Sequence, residues 1–502
     1  MAKLCLCLTA KTLARDLEIL EKYRGYADMA ELRVDCLDPD ERFLIRRFPG
    51  QAGMPVILTV RREIDGGKYI GGEGARIRIL SQGIAFAEAD RRQNFAYVDL
   101  EEDLNVPSLD EAARTFGTRI IRSWHNFNGV GEDMAGKIRR LRRTGDELVK
   151  AAVMPQSSED LLRVVRAARE TRDVDKILLC MGHYGTFTRI LAEKLGSRIS
   201  FATALNEADN PVAGPGQLDP RELAELYRFR KITADTLVFG VTGFPLTVSD
   251  SPRFFNTVFG IEETNAVYVP FPADSVPALM DLAEELDVRG LSVTVPYKEK
   301  VLPYLSHRSR EVEAVRACNT LVSSPQGWWG YNTDMQGFSD SLLEFIGKKN
   351  LKGKKIAILG AGGAARAVAA EIFRLGAKAL VLNRTLARAR ELAHPYKFLW
   401  GGLDREGVET MTKYSDIIIQ TTPVGMKGNA GSDPLEMYDF SGKEMVMDLV
   451  YQPETTPFLS RARAAGCSVL NGYDMLIRQA RYQYALFLKK EFPPDLFNRV
   501  KF

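Results

Sequence analysis

The sequence predicts an α/β protein: an N-terminal (β/α)8 TIM barrel followed by a two-lobed α/β region, one lobe of which is Rossmann-like. Three observations predict it. Eight short β-rich runs recur over roughly the first 230 residues, with helical stretches between them. The rhythm then breaks near residues 220–236 and restarts at "LVFGVTGFPL". Further on, "IAILGAGGAARA" reads as strand, glycine turn and helix. A chain of 502 residues is too long for one ordinary core, so two or more domains are expected.

The eight runs are "LCLCLTA", "MAELRVDCL", "PVILTVR", "FAYVDLE", "RIIRSWHN", "ELVKAAVMP", "KILLCMG" and "ISFATAL". Segments such as "GARIRILSQGIAFAEADRR" and "SSEDLLRVVRAARETRD" separate them, with apolar residues at helical spacing. An open doubly wound sheet has the same alternation, and the count of eight decides for a barrel. A last barrel helix is expected at "PRELAELYRF", which runs almost directly into the next strand and places the boundary at 230/231. In the second half, one lobe is expected at about 235–335 with C-terminal helices at about 472–502, and the Rossmann-like lobe at about 336–471.

Composition narrows the function classes. An apolar fraction of 45% against 26% charged is that of a soluble globular chain. A formal net charge of +3 gives no electrostatic reason to expect nucleic acid or a membrane surface. The six cysteines include no CxxC pair and read as reduced, buried thiols; alternation along a strand accounts for Cys5 and Cys7. No ligand set has metal-site spacing. The N-terminal apolar run is too short for a signal peptide, and "IAILGAGGAARAVAAEIF" is broken by glycines, Arg366 and Glu371. A cytoplasmic protein follows, expected as a monomer or weak homo-oligomer.

Lys150 sits in the apolar run "DELVKAAVMPQ". An amine whose pKa is lowered by desolvation or nearby positive charge can form a Schiff base with a ketone, and the iminium acidifies the neighbouring carbon. His125, on the preceding strand candidate, is placed to remove that proton. Glu31, Arg33, Arg61 and Glu101 fall in or near the ends of other strand candidates, where barrel strands deliver side chains to one mouth. Arginines there suit a carboxylate-bearing substrate. The motifs "ELRVD", "TVR" followed by "DGG", "SWHNF", "KAAVMPQ", "MGHYGTFTR" and "GPGQ" occur in the order of the type I 3-dehydroquinate dehydratases, which this half resembles. The resemblance implies a Schiff base between Lys150 and the ketone of 3-dehydroquinate, with His125 as general base and then acid. It implies substrate-positioning places for Glu31, Arg33, Arg61, Asp65, Arg189 and Gln217. Two positions depart from the family: Asp65 stands where glutamate is usual, and Ala213 where serine is usual.

In the second half, Gly360 and Gly362 would let the backbone approach a pyrophosphate at a helix N-terminus, with Ala365 at the close-packing position. After the next strand come Asn383, Arg384, Thr385 and Arg388 rather than an acidic residue, which favours a 2′-phosphate and hence NADP. Lys298 and Asp334 form a candidate proton-transfer pair amid hydroxyl- and amide-rich segments. The segments "SDSP", "VTVPYKE", "NTD", "GAGGAARA", "NRT", "TTPVGM" and "GYDMLIRQA" resemble shikimate dehydrogenase in order. That resemblance implies substrate contacts from Ser249, Ser251, Thr294, Asn319, Asp334, Tyr451 and Gln479. For the cofactor it implies Gly360, Ala361, Gly362, Gly363, Ala364, Thr421, Thr422, Pro423, Gly472 and Met475, besides the four residues after the second strand. Ser292 and Met335 replace the usual asparagine and glycine, as in fused plant-type enzymes.

Together the resemblances imply two consecutive steps of the shikimate pathway, from 3-dehydroquinate through 3-dehydroshikimate to shikimate, with NADP(H) and no metal. Rival readings are a dehydrogenase that prefers quinate or NAD, a non-catalytic barrel, and another Schiff-base barrel such as an aldolase. Both "SDSP" serines and Arg384 argue against the first. An adduct trapped on Lys150 would exclude the second, and the ordered motifs disfavour the third.

Overall fold

The computed structural model describes residues 1–85, 89–246, 249–426, 431–497 and 500. The chain divides into two compact units, Met1–Val288 and Arg289–Phe502. In the first, the strands are β1 (Lys3–Leu8), β2 (Met29–Arg33), β3 (Val56–Thr59), β4 (Tyr97–Glu101), β5 (Arg119–Asn126), β6 (Leu148–Val153), β7 (Lys176–Cys180) and β8 (Ile199–Thr203). Each pairs in parallel with the next from β1 to β7, and β8 returns to β1. One parallel bridge, Lys176 to Ser197, joins the remaining edge. The crossovers carry α1 (Leu13–Tyr23), α2 (Phe48–Ala52), α3 (Glu73–Ile84), α4 (Pro107–Phe116), α5 (Met134–Leu141), α6 (Ser158–Glu170) and α7 (Thr186–Ile190). All eight runs read as strands are strands.

The barrel's interior explains why its strands read as apolar. Every strand is covered on both faces, by the barrel interior and by the helix layer. Val98 and Leu100 join the outer core, whereas Ile57, Ile121, Leu148, Ile177 and Ile199 join the inner one. By the two-residue alternation, the inward positions of β2 to β6 begin apolar and become polar toward the C-terminal end. Met29 is followed by Glu31 and Arg33, Ile57 by Thr59 and Arg61, Tyr97 by Asp99 and Glu101, Ile121 by Ser123 and His125, and Leu148 by Lys150. The bottom is an apolar plug and the top is a charged mouth.

One expected helix is different. The segment "PRELAELYRF" contributes only a wide π-helical turn, Glu222–Leu226, closed by the Tyr227 N–H on the Glu222 carbonyl at 3.1 Å. Leu223 and Tyr227 are buried, and Arg228 at φ +49° reverses the chain before a longer helix can form. The first unit continues with β9 (Leu237–Gly243), α8 (Ser251–Ile261), β10 (Ala266–Pro272) and α9 (Val276–Glu285); β9 and β10 pair in parallel.

In the second unit, β13 (Thr320–Ser324) is antiparallel to both β11 (Val288–Val293) and β14 (Gly327–Tyr331), and β12 (Leu305–Arg308) runs parallel to β14. Helices α10 (Arg310–Val315) and α11 (Asp334–Ile346) accompany them. Next come β15 (Lys355–Leu359), β16 (Lys378–Asn383), β17 (Leu399–Gly402), β18 (Ile417–Gln420), β19 (Met445–Asp448) and β20 (Ser468–Leu470). They form one parallel sheet in the order β17-β16-β15-β18-β19-β20, the doubly wound order that binds dinucleotides where it reverses. Ile356 and Ile358 face one apolar core and Ala357 and Leu359 another, so helices cover both faces. These helices are α12 (Gly363–Arg374), α13 (Leu386–Ala393), α14 (Arg405–Met411) and α15 (Pro457–Ala464), while α16 (Tyr473–Leu488) packs along α11. Among the described residues no helix is long and apolar enough to cross a membrane.

Candidate active sites

One cavity at the barrel mouth is lined by Lys150, His125, Glu31, Arg33, Arg61, Asp65, Arg189 and Gln217, with Ala213 beside them; Glu101, also singled out in the sequence, lies outside the lining. The strand register sets the central pair. Lys150 on β6 stands opposite Ser123 on β5, and His125 lies two residues further along β5, opposite Ala152. His125 is therefore about 6.6 Å nearer the mouth than the Lys150 rung.

Lys150 is not isolated in apolar surroundings. Its Nζ lies 2.8 Å from the Asp99 carboxylate, 3.6 Å from Glu31 and 4.4 Å from the centre of the Phe201 ring. Asp99 is shared, because Arg61 Nη2 approaches the same oxygen at 2.7 Å while the Ser123 hydroxyl donates to the other at 2.5 Å. Arg61 also reaches Glu101 at 2.6 Å, and Glu101 in turn holds the fully buried Arg76 of α3 at 2.6 Å. The result is a ladder of alternating charge, Arg76, Glu101, Arg61, Asp99 and Lys150. Burial alone would raise the Asp99 pKa, but the Arg61 and Lys150 cations outweigh it and hold the carboxyl well below the usual range.

His125 is pushed the other way. Burial first, then the positive charges of Arg61 and Lys150, hold its imidazole well below the ordinary histidine value. Its Nδ1 is buried without a hydrogen-bond partner. The ring is thus neutral and carries a free nitrogen, which is the state a general base requires.

The arginines divide into satisfied and waiting. Arg33 forms a two-pronged pair with Asp35 at 2.7 and 2.9 Å, and Asp35 also accepts the backbone N–H groups of Arg61 and Lys68. Arg189, on α7, is 1% exposed, and the only described bond of its guanidinium is from Nη2 to the Pro215 carbonyl at 3.1 Å. Its Nε and Nη1 are buried with no partner, and burial brings its pKa down to about 10. A buried cation with two unused donors is costly unless an anion completes it. Gln217 accepts from Thr203 and donates toward the Cys7 sulfur, and Asp65 is held by Arg62 at 2.7 Å.

Sequence reasoning missed Asp99 and Asp35 as site residues. Asp99 lies within "FAYVDLE", and the readable signal was the inward-facing pair Asp99 and Glu101 in an otherwise apolar strand.

The second cavity opens at the C-terminal ends of β15, β16 and β18. It is lined by Gly360, Ala361, Gly362, Gly363, Ala364, Asn383, Arg384, Arg388, Thr421, Thr422 and Pro423, together with Lys298. Gly360 has φ +110°, and a Cβ there would lie 2.6 Å from Thr421 Oγ1, so only glycine lets the two loops close. A Cβ on Gly362 would meet nothing within 4 Å, which leaves the N-terminus of α12 open to the cavity. Ala365 is fully buried beneath it. Arg384 and Arg388 are exposed and have no partner among the described residues. Open amides at a helix N-terminus and two free guanidinium groups beyond the second strand fit a 2′-phosphorylated dinucleotide. Thr385 precedes α13 without a side-chain capping bond and lies outside the lining, its carbonyl accepting from Asn383. Gly472 and Met475 lie outside the lining; Met475 is packed in the apolar core with Phe338 and Ile358.

Lys298 lines this cavity and donates to Asp334 at 2.5 Å. Asp334 opens α11, where a helix N-terminus favours negative charge. Asn319 donates to its other oxygen at 2.8 Å and lies 3.4 Å from Gln479, so Lys298, Asp334, Asn319 and Gln479 share one network. Thr294 and Tyr451 are half-buried and lie outside the cavity's lining. In the first unit, Ser251 opens α8 and its amide donates to the Ser249 hydroxyl at 3.3 Å. Among the described residues no group of three or more metal-binding side chains occurs, and all six cysteines are free.

Against known families, residues 4–234 match type I 3-dehydroquinase, residues 241–321 the shikimate dehydrogenase substrate binding domain, and residues 342–425 shikimate/quinate 5-dehydrogenase. The chain is 29% identical to a bifunctional 3-dehydroquinate dehydratase/shikimate dehydrogenase, chloroplastic, of Arabidopsis thaliana, over 94% of this chain and 80% of that one. It is 39% identical to a shikimate dehydrogenase (NADP(+)) of Caldanaerobacter subterraneus, over 53% of this chain and 96% of the relative. A shikimate biosynthesis protein, AroDE, of Chlamydia pneumoniae is 29% identical, over 80% of each.

Proposed function

The chain belongs to the shikimate dehydrogenase family, with a type I 3-dehydroquinase region ahead of it, and on that premise we propose how its residues carry the two reactions. It is a bifunctional enzyme of the shikimate pathway: 3-dehydroquinate is dehydrated in the barrel and 3-dehydroshikimate is reduced to shikimate in the second half. Residues 1–230 are assigned to the dehydratase and 231–502 to the dehydrogenase, a division supported by the matched ranges.

In the barrel, Arg189 takes the substrate carboxylate, a role its two unused buried donors support. The Lys150 ammonium passes a proton to neutral His125, the amine attacks the ketone, and His125 returns that proton to the carbinolamine hydroxyl, which leaves as water and gives the iminium. Neutral His125 removes a proton from the adjacent carbon and returns it to the departing hydroxyl, which leaves as a second water. Hydrolysis of the iminium then restores the amine. Asp99 pairs with the cation on Lys150 before attack and remains beside the iminium, so the charge has a partner throughout. Glu31, Arg33, Arg61, Asp65 and Gln217 fix the hydroxyl-bearing ring. The observation that carries this reading is the meeting of Lys150, a neutral His125 and an uncompensated Arg189 in one cavity. The test is borohydride reduction with 3-dehydroquinate present. A covalent adduct on Lys150 is expected, and an unmodified lysine overturns the mechanism.

In the second half, NADP(H) supplies hydride when bound. The α12 N-terminus and Arg384 with Arg388 would hold its phosphates, and Thr421, Thr422 and Pro423 border the cavity; Gly472 and Met475, outside its lining, are assigned to the cofactor by the resemblance of "GYDMLIRQA" alone. Ser249, Ser251, Thr294, Asn319, Tyr451 and Gln479 bind the substrate hydroxyls and carboxylate. Lys298, held by Asp334, moves the proton at the substrate oxygen. A cytoplasmic site of action and a monomeric or weakly self-associating state complete the proposal; the free cysteines support a reducing compartment.

A further inference from the structure

The Arg189 guanidinium has one described protein bond, so its aim is set by the backbone of α7 rather than by side-chain partners. The barrel holds α7 through the Cys180 N–H on Thr188 Oγ1 and the Ser200 hydroxyl on the Arg189 carbonyl, and a second set of contacts comes from outside the barrel sequence. Phe187, fully buried on α7, packs against Phe271 of β10 with ring centres 5.1 Å apart. In the turn between β10 and α9, Asp274 accepts from the Ser158 N–H at 2.9 Å and from the Ser158 hydroxyl, while its own N–H donates back to Ser158 Oγ at 2.8 Å. The Tyr184 hydroxyl bonds to the same carboxylate. Ser158 opens α6, just beyond the strand of Lys150, and Tyr184 lies in the loop leading to α7 and Arg189. One carboxylate therefore ties the mouth segment after β6 to the one after β7. At the far end of α6, Arg166 and Arg169 pair with Glu285 at 3.1 and 2.9 Å, so α6 and α9 are pinned at both ends.

We infer that Asp274, with Phe271, is a positioning residue of the dehydratase: the turn between β10 and α9, in the dehydrogenase-matched region, aims Arg189 at the substrate carboxylate. The inference rests on the dehydratase reading above. Loss of this tie would loosen α7 without touching Lys150 or His125, and so would weaken substrate binding more than turnover.

The experiment uses the full chain with Asp274→Ala, Asp274→Asn and Ser158→Ala, assayed for both reactions alongside thermal melting. For Asp274→Ala, KM for 3-dehydroquinate should rise about tenfold, the scale of one charge-assisted hydrogen bond, with kcat within about twofold. Asp274→Asn, which keeps an acceptor, should recover most of the loss, and Ser158→Ala combined with Asp274→Ala should add little to the single change. The dehydrogenase constants should stay within about twofold. An unchanged KM in a folded Asp274→Ala chain overturns the inference, as does a parallel fall of both activities. Should that chain not fold, Phe271→Leu takes its place: a raised KM supports the inference and an unchanged one overturns it. A wild-type chain that forms no Lys150 adduct overturns the parent reading as well; an adduct with unchanged KM in the variants overturns this inference alone.

Discussion

Compared with the cleft at the ends of β15 and β16, where the Arg384 and Arg388 side chains are exposed and unpartnered among the described residues, the barrel mouth treats its cations differently. Arg33, Arg61, Arg76 and Lys150 each have a carboxylate within 2.8 Å, and Arg189 alone is left with unused donors. The two regions answer different demands. A covalent reaction in a low-dielectric mouth needs charges fixed before the substrate arrives, and a cation left over marks where the substrate's own charge belongs. A diffusible cofactor with several phosphates is gathered from solvent, where free guanidinium groups cost little and attract at a distance.

The contrast can be broken most sharply by removing its two lysines. Lys150→Ala should lower dehydration by at least ~10³-fold and leave reduction unchanged, and Lys298→Ala should do the reverse; separate steady-state assays on each chain read this. Next in size is the exposed pair. Arg384→Ala with Arg388→Ala should raise KM for NADPH roughly 10- to 100-fold while leaving NADH use nearly unaltered, so the cofactor preference narrows. The buried imidazole comes third. Its pKa is depressed, so the neutral form persists as pH falls, and His125 ring resonances should keep neutral positions at pH 5.5, where an ordinary imidazole would be about nine-tenths protonated. A midpoint near 6.5 would mean that Arg61 and Lys150 do not act on the ring as placed. The smallest effect is expected at the rim, where Asp65 is tied to Arg62. Asp65→Glu should alter dehydratase kcat/KM by less than ~5-fold, the range of a partly exposed ion pair.

Much of this is legible without the structure, and the residues show why. The eight barrel strands stand out because each is a short apolar run bounded by turn residues, and Lys150 stands out because a lysine in such a run is out of place. The same signal fails for Asp99. A carboxylate in "FAYVDLE" looks like a strand-end charge until the β4–β5–β6 register sets it under Ser123 and Lys150. The apolar setting of Lys150 suggests desolvation, whereas its Nζ is paired with a carboxylate. Sequence spacing reports which face a residue occupies, and an ion pair between strands depends on register, which spacing does not carry. The tie between Ser158 and Asp274 is illegible for a related reason: its partners are 116 positions apart and each is an ordinary helix-start residue.

The ladder from Arg76 through Glu101, Arg61 and Asp99 to Lys150 constrains how this barrel can evolve. Neutralising an inner rung leaves a neighbouring buried charge short of its partner, so single substitutions there are steeply uphill. Losing a cation and its neighbouring anion together leaves the net charge unchanged. The accessible routes are therefore paired changes at the outer end, Arg76 with Glu101, and drift in this protein should enter its active site from the helix layer inward, two residues at a time.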